Sequence, residues 1–274
     1  MRNNWLPKME ANMLNLAKIK EKLKTACLGN EIHYFVEVGS TNEVAKALAA
    51  KGAKEGTVVI AETQTSGKGR LGRKWFSPKG GIWLSLILRP KIKPKDALKL
   101  TLTAAVAVAR AIKENLNVNV SIKWPNDVLV ENKKVCGILT EGMSEGDEMK
   151  FVIVGVGINA NFDLAVLPRE LWENTTTLKE VLGKNVDREA IIRSFLEYFE
   201  ICYNKMLAGN FKHILSEWKN FASFLGKRIV VSNTKEKMEG VAQNIDEDGS
   251  LIVRLDRGDL VKVFSGDVSI RYKN

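Results

Sequence analysis

At about Gly226 the chain changes its period. Downstream, "KRIVVSN", "EGVAQNIDEDGSLIVRL" and "LVKVFSGDVSIRY" read as short alternating strands separated by Asp-Gly and Gly-Asp turns. A unit of about 50 residues built this way leans on a larger body for its stability. Upstream, strands and helices mix. Leu16, Ile19 and Leu23 stand at helical spacing, which predicts a short amphipathic helix within 14–26. "IHYFVEV" follows as a strand. Ser40 and Glu43 fit a capping box that opens a helix closed by Gly52. "TVVIAE" and "GIWLSLIL" are strands on either side of a glycine- and lysine-rich loop. A helix over about residues 95–115 presents Leu98, Leu102, Ala105, Val106, Ala109 and Ile112 on one broad apolar face. "VSIKWPNDVLVENKKVCGILTEG" reads as two strands joined at "ENKK", "KFVIVGVGINAN" as a buried strand, and residues 170–220 as helices.

The loop between the two strands contains Gly67-Lys68-Gly69-Arg70-Leu71-Gly72, a literal G-x-G-x-x-G. A dinucleotide site also needs a helix opening at the end of the turn and an acid about 20 residues on. Here Pro78 and two adjacent glycines lead into another strand, and no acid occurs between Glu62 and Asp96. Gly155-x-Gly157-x-x-Ala160 fails the same requirement. A P-loop is excluded because Lys68 is followed by Gly69. What remains is a flexible loop with Lys68, Arg70, Arg73 and Lys74, suited to a phosphate or carboxylate; a solvated basic turn is the plainer alternative. "KWPND" (123–127) is open in the same way, between a well-made turn and a site. Gly137, inside the strand of "KKVCGILTEG", marks either a bulge or the close approach of a ligand. "GVGIN" ends a buried strand with two glycines and an amide.

"GSTN", "ETQTSGKGRLGRKW", "KWPNDVLV", "KKVCGILTE" and "VGVGIN", in this order and spacing, resemble the biotin protein ligases, also called biotin–[acetyl-CoA-carboxylase] ligases. The motifs cover about residues 32–160, and the family's small C-terminal barrel matches the layout of the rest. The resemblance implies an α+β fold: an N-terminal helical extension (1–30), a mixed β-sheet catalytic domain resembling class II aminoacyl-tRNA synthetases (31–225) and an SH3-like β-barrel (226–274). It implies formation of biotinyl-5′-AMP from biotin and ATP, with Mg²⁺, and transfer of biotin to a lysine of a biotin carboxyl carrier protein. By matched position, the loop from Gly67 to Arg73 binds biotin and the adenylate and is ordered by them. Arg70 would bond the carboxylate or phosphate of the intermediate, Arg73 would hold the loop over the nucleotide, and Trp75 would wall the site. Ser40, Thr41 and Gln64 match positions that bind the ureido ring, with Asn42, Gly67, Lys68 and Gly137 beside them. Lys134 matches the catalytic lysine, bridging biotin carboxylate and α-phosphate. Asn126 and Asn159 match nucleotide-site amides, and Asp127 would stand near magnesium. Lys68 and Leu71 depart from a more arginine-rich loop, which puts retention of the intermediate in doubt.

The net charge of +10 suits an acidic partner, a polyphosphate or nucleic acid, and equally suits scattered solubilising lysine. The three cysteines are far apart and only two histidines occur, which argues against disulfides and structural zinc and fits a reducing cytoplasm. No signal peptide or membrane span is expected. Only 39 residues precede Ser40, too few for a winged DNA-binding module, so no specific DNA binding is expected, although some family members are repressors. A lipoate ligase of related fold and a bifunctional ligase with a DNA-binding role are the alternatives. A homodimer stays open.

Overall fold

The computed structural model describes residues 13–232 and 237–270; residues 1–12 of the expected extension lie outside them. Seven strands form the main sheet, in the order β1 (Ile32–Val38), β2 (Val58–Gln64), β3 (Ile82–Leu88), β7 (Glu148–Ile158), β6 (Lys133–Glu145), β5 (Asp127–Val130) and β4 (Val120–Lys123). β1 and β2 run parallel, and every other neighbouring pair is antiparallel. The parallel pair is joined by helix α2 (Thr41–Ala50), the crossover that parallel strands require. The stretch read as one hairpin is a three-stranded meander. "KWPND" itself turns β4 into β5, and Glu131 and Asn132, both at positive φ, turn β5 into β6.

β3, and β7 from Phe151 on, are buried on both faces, which explains their nearly continuous apolar sequences. Ile82, Leu84, Leu86, Val152, Val154, Val156 and Ile158 face the main core. That core is completed by α3 (Ala97–Leu116), α5 (Arg188–Leu207) and α6 (Phe211–Phe221). α3 ends at Asn117, whose left-handed conformation lets its N–H reach the Lys113 carbonyl. The alternate positions of the two strands face the other way. Ile87, Phe151 and Ile153 pack against α2 there, and then the row changes to Ser85, Trp83, Gly155 and Gly157. The change of residue type along one sheet face is what opens a cavity beside the first turn of α2.

Two local expectations are corrected. The helix within 14–26 is only α1 (Leu16–Glu21). After it the Glu200 carboxylate accepts the backbone N–H groups of Ala26, Cys27 and Leu28 at 2.6–2.9 Å, and Glu197 takes that of Lys24, so the chain bonds to α5 instead of to itself. The capping box at α2 does not form. Ser40 is the N-cap residue but its side chain makes no capping bond, and Glu43 pairs with Lys46 and Lys68.

Behind the loop, Glu62 of β2 is buried against Arg188 of α5 at 3.0 Å. Its carboxylate also accepts the Leu14 N–H and the Tyr34 hydroxyl, and Arg188 donates to the Gly81 carbonyl. A buried pair satisfied on this many sides fixes the geometry where β2 feeds the loop.

The C-terminal residues form a separate five-stranded antiparallel sheet, in the order β11 (Leu260–Val263), β10 (Leu251–Arg254), β9 (Lys237–Ile245), β8 (Arg228–Ser232), β12 (Asp267–Ile270). Phe264, Ser265 and Gly266 separate β11 from β12, where the Gly-Asp turn is expected. Trp124, buried in the "KWPND" turn, donates its indole N–H to the Gly249 carbonyl at 2.9 Å and so fastens this sheet to the larger one.

Candidate active site

The cavity beside α2 has a volume of about 660 Å³, within the range of small-molecule sites. Every expected site residue except Gly67 lines it. Gly67 stands behind the wall, where its carbonyl accepts the Trp75 N–H and so closes the base of the loop.

The loop is a small hairpin. Gly69 N–H bonds to the Arg73 carbonyl at 2.7 Å, and Arg73 N–H returns to Arg70. The tip needs left-handed backbone at Leu71 (φ 56°) and Gly72 (φ 74°), which is cheap for glycine and costly for leucine. The hairpin directs Trp75 back over the sheet. Its indole lies on Gly137 and Gly157, paired residues of β6 and β7, where a side chain would collide with the ring. The strand-interior glycine thus serves a close approach, by Trp75. The Trp75 Nε1–H is buried with no acceptor, and Trp83 packs on the ring edge-on at 6.4 Å.

At one end of this floor, Asn42 lies over Gly155, with no room for a β-carbon between them. Gln64 accepts the backbone N–H of Thr41 at 2.7 Å and its hydroxyl at 3.0 Å, and donates to the Ser77 hydroxyl at 2.7 Å. These residues form a buried, uncharged, hydrogen-bonding end.

The other end is cationic. Lys134 stands 5.1 Å from the Trp75 ring centre, and its ammonium is 2.6 Å from Asp127 Oδ1. That contact is an ion pair without hydrogen-bond alignment. Lys123 faces the other carboxylate oxygen at 3.4 Å. Asn126 donates to the Ile138 carbonyl and accepts from Arg70 at 3.0 Å. Burial lowers the Arg70 pKa, opposed by the nearby Asp267 and Asp127 carboxylates, yet the guanidinium stays charged at any working pH. Asn159 is buried and donates to the Thr176 carbonyl, holding the segment that leads into helix α4 (Leu178–Leu182) beside Lys134.

Sequence reasoning missed Asp267. It comes from β12 of the C-terminal sheet, pairs with Arg73 and lies 3.8 Å from Arg70, which also donates to the Gly266 carbonyl at 3.2 Å. Ser232, Val268 and Ser269 line the same wall. Ser85 and Glu141, which contact Asn42, were also missed. Lys68 bonds to Glu43 of α2 at 2.7 Å, at the rim.

Among the described residues no three acidic, histidine or cysteine side chains converge as a metal site. Both oxygens of Asp127, the residue expected near magnesium, face lysines. The described residues therefore do not assemble a protein-held magnesium centre. The described cysteines are free, with Cys136 buried and its thiol pKa pushed up by that burial. No described helix is long and apolar enough to cross a membrane.

Residues 34–159 match the biotin/lipoate A/B protein ligase family and residues 224–271 the biotin protein ligase C-terminal domain. The bifunctional ligase/repressor BirA of Bacillus subtilis is 38% identical across 94% of this chain and 79% of its own length. The biotin–[acetyl-CoA-carboxylase] ligase of Paracoccus denitrificans is 32% identical across 78% of this chain and 90% of its own. The structure of the Aquifex aeolicus biotin protein ligase in complex with biotin and ATP matches with a TM-score of 0.76 and 32% identity, over 89% of this chain and all of that one.

Proposed function

The chain belongs to the biotin protein ligase family, and from that premise we propose that it activates biotin with ATP and transfers it to a carrier lysine. In the first step a biotin carboxylate oxygen bonds to the α-phosphorus of ATP, the bond to the β-phosphate oxygen breaks, and pyrophosphate leaves. In the second, the carrier amine attacks the acyl carbon, AMP leaves, and an amide forms.

One observation carries this reading. A neutral polar end (Thr41, Asn42, Gln64) and a cationic end (Lys134, Arg70, Arg73) share one cavity, separated by the floor that Gly157, Gly137 and Trp75 make. The first suits a cyclic urea and the second a carboxylate meeting a phosphate. In this reading Lys134 turns from Asp127 to bridge the two anions, which relieves their repulsion and stabilises the charge gathered in transfer. Arg70, aimed by Asn126, holds the α-phosphate; Arg73 closes the loop over the nucleotide; Asn159 borders the same site. ATP enters as its magnesium complex, the ion keeping most of its waters. Division of the chain near residues 31 and 226, a cytoplasmic setting and an acidic biotin carboxyl carrier partner belong to the same proposal. Biotin-dependent exchange of pyrophosphate into ATP, followed by transfer of labelled biotin to a carrier domain, tests it. Turnover with lipoate and none with biotin would overturn it. Lys134→Ala should cut adenylation by about a hundredfold or more with the fold intact.

The bifunctional relative supplies a second reading, operator binding. The residues gathered in the cavity serve ligation, so we favour a ligase without a repressor role. A biotin- and ATP-dependent shift of a specific DNA would refute that.

A further inference from the structure

This inference rests on the reading of the Thr41–Asn42 end as the ring-binding end and concerns what sets its polarity. The Gln64 side-chain oxygen accepts from both the Thr41 N–H and the Thr41 hydroxyl. With the Thr41 hydroxyl proton pointing to Gln64, the Thr41 oxygen acts as an acceptor. The Ser85 hydroxyl, fully buried on β3, lies 2.8 Å from that oxygen and 2.6 Å from Asn42 Oδ1. The Thr41 and Ser85 hydroxyls bring two protons to three contacts (to Gln64, to each other and to Asn42), so in every arrangement one contact goes without a proton and an acceptor lone pair stays open.

The Asn42 amide cannot turn over to relieve this. Its nitrogen donates to Glu141 Oε2 at 2.7 Å and to the Leu139 carbonyl at 3.3 Å. A flipped amide would set three oxygens against one another. Glu141 is itself held by Lys46, whose ammonium reaches its other oxygen at 2.6 Å.

We propose that Ser85 and Glu141, with Lys46 behind Glu141, are positioning residues that fix the Thr41–Asn42 end as an acceptor surface and so select a ring carrying N–H donors. Glu141→Gln breaks the arrangement, because one amide cannot accept from Asn42 and from Lys46 with separate oxygens.

The test compares biotin with biotin methylated at a ring nitrogen, by pyrophosphate exchange, in the full chain. For Glu141→Gln and Ser85→Ala the biotin KM should rise about tenfold, while kcat and the KM for ATP stay within about twofold. Discrimination against the methylated ring should shrink in step. Lys46→Met, at the partly exposed end of the chain of contacts, disturbs the interior least and should move the same ratio by about threefold. An active wild type whose variants keep their biotin KM, or lose kcat and both KM values together along with thermal stability, overturns the inference alone. A wild type inert toward biotin overturns the underlying reading and the inference with it.

Discussion

Gly155 and Gly157 show how little freedom single residues have here. They are alternate residues of β7 on the face that α2 covers, one under Asn42 and the other under the Trp75 indole. Gly155→Ala should displace Asn42, raise the biotin KM more than the ATP KM, and cost about 1–3 kcal/mol of stability from overpacking. Steady-state kinetics and denaturant unfolding measure both. The glycines were legible in the sequence as a sign of close approach, but what approaches was not. At Gly137 the sequence left a ligand or a bulge open, and the group on it is a side chain of the protein itself. Ser85 was illegible for a different reason. Within "GIWLSLIL" it reads as one more strand position, and only the pairing with β7 and the packing of α2 show that its face is polar.

At the level of elements, the sequence conveyed the long helix, the buried strands and the change of period, because apolar spacing over ten or more residues is a strong signal. It misjudged α1, where the deciding contact is distant (Glu200 on α5), and the meander, where "KWPND", open in the sequence between a turn and a site, turns β4 into β5. The turn between β9 and β10 shows charge at work on this scale. Asp248 is pushed down to about 2: burial opposes the shift, but hydrogen bonds from Lys262 and Ser250 outweigh it. Its ordinary value is 3.8, so its stabilising contribution is complete above that pH and is lost as pH falls from there toward about 2. The wild type should therefore lose more thermal stability than Asp248→Asn between pH 5 and pH 2. Equal losses, followed by calorimetry, would remove this role. The same turn offers Gly249 to Trp124.

Across the whole molecule, the two sheets meet at the site. Arg70 and Arg73 belong to the loop of the larger sheet, and Asp267 to the smaller one. The Gly-Asp pair read as a turn in the sequence, and a turn aspartate in solvent looks no different there from one facing two arginines. Asp267→Asn should loosen the loop and speed release of the biotinyl adenylate about tenfold, with a smaller change in its rate of formation. A chase of labelled intermediate with excess unlabelled biotin reads this directly; unchanged release would mean the contact does not retain the intermediate. The two anchors, Trp124 on Gly249 and the arginines on Asp267, also have a bearing on design. The backbone between α6 and β8 can be cut without touching either anchor, and each fragment then carries half of every bond that joins them. Such a divided chain would restore its adenylating site only when the two pieces are brought together, so its product would report their proximity.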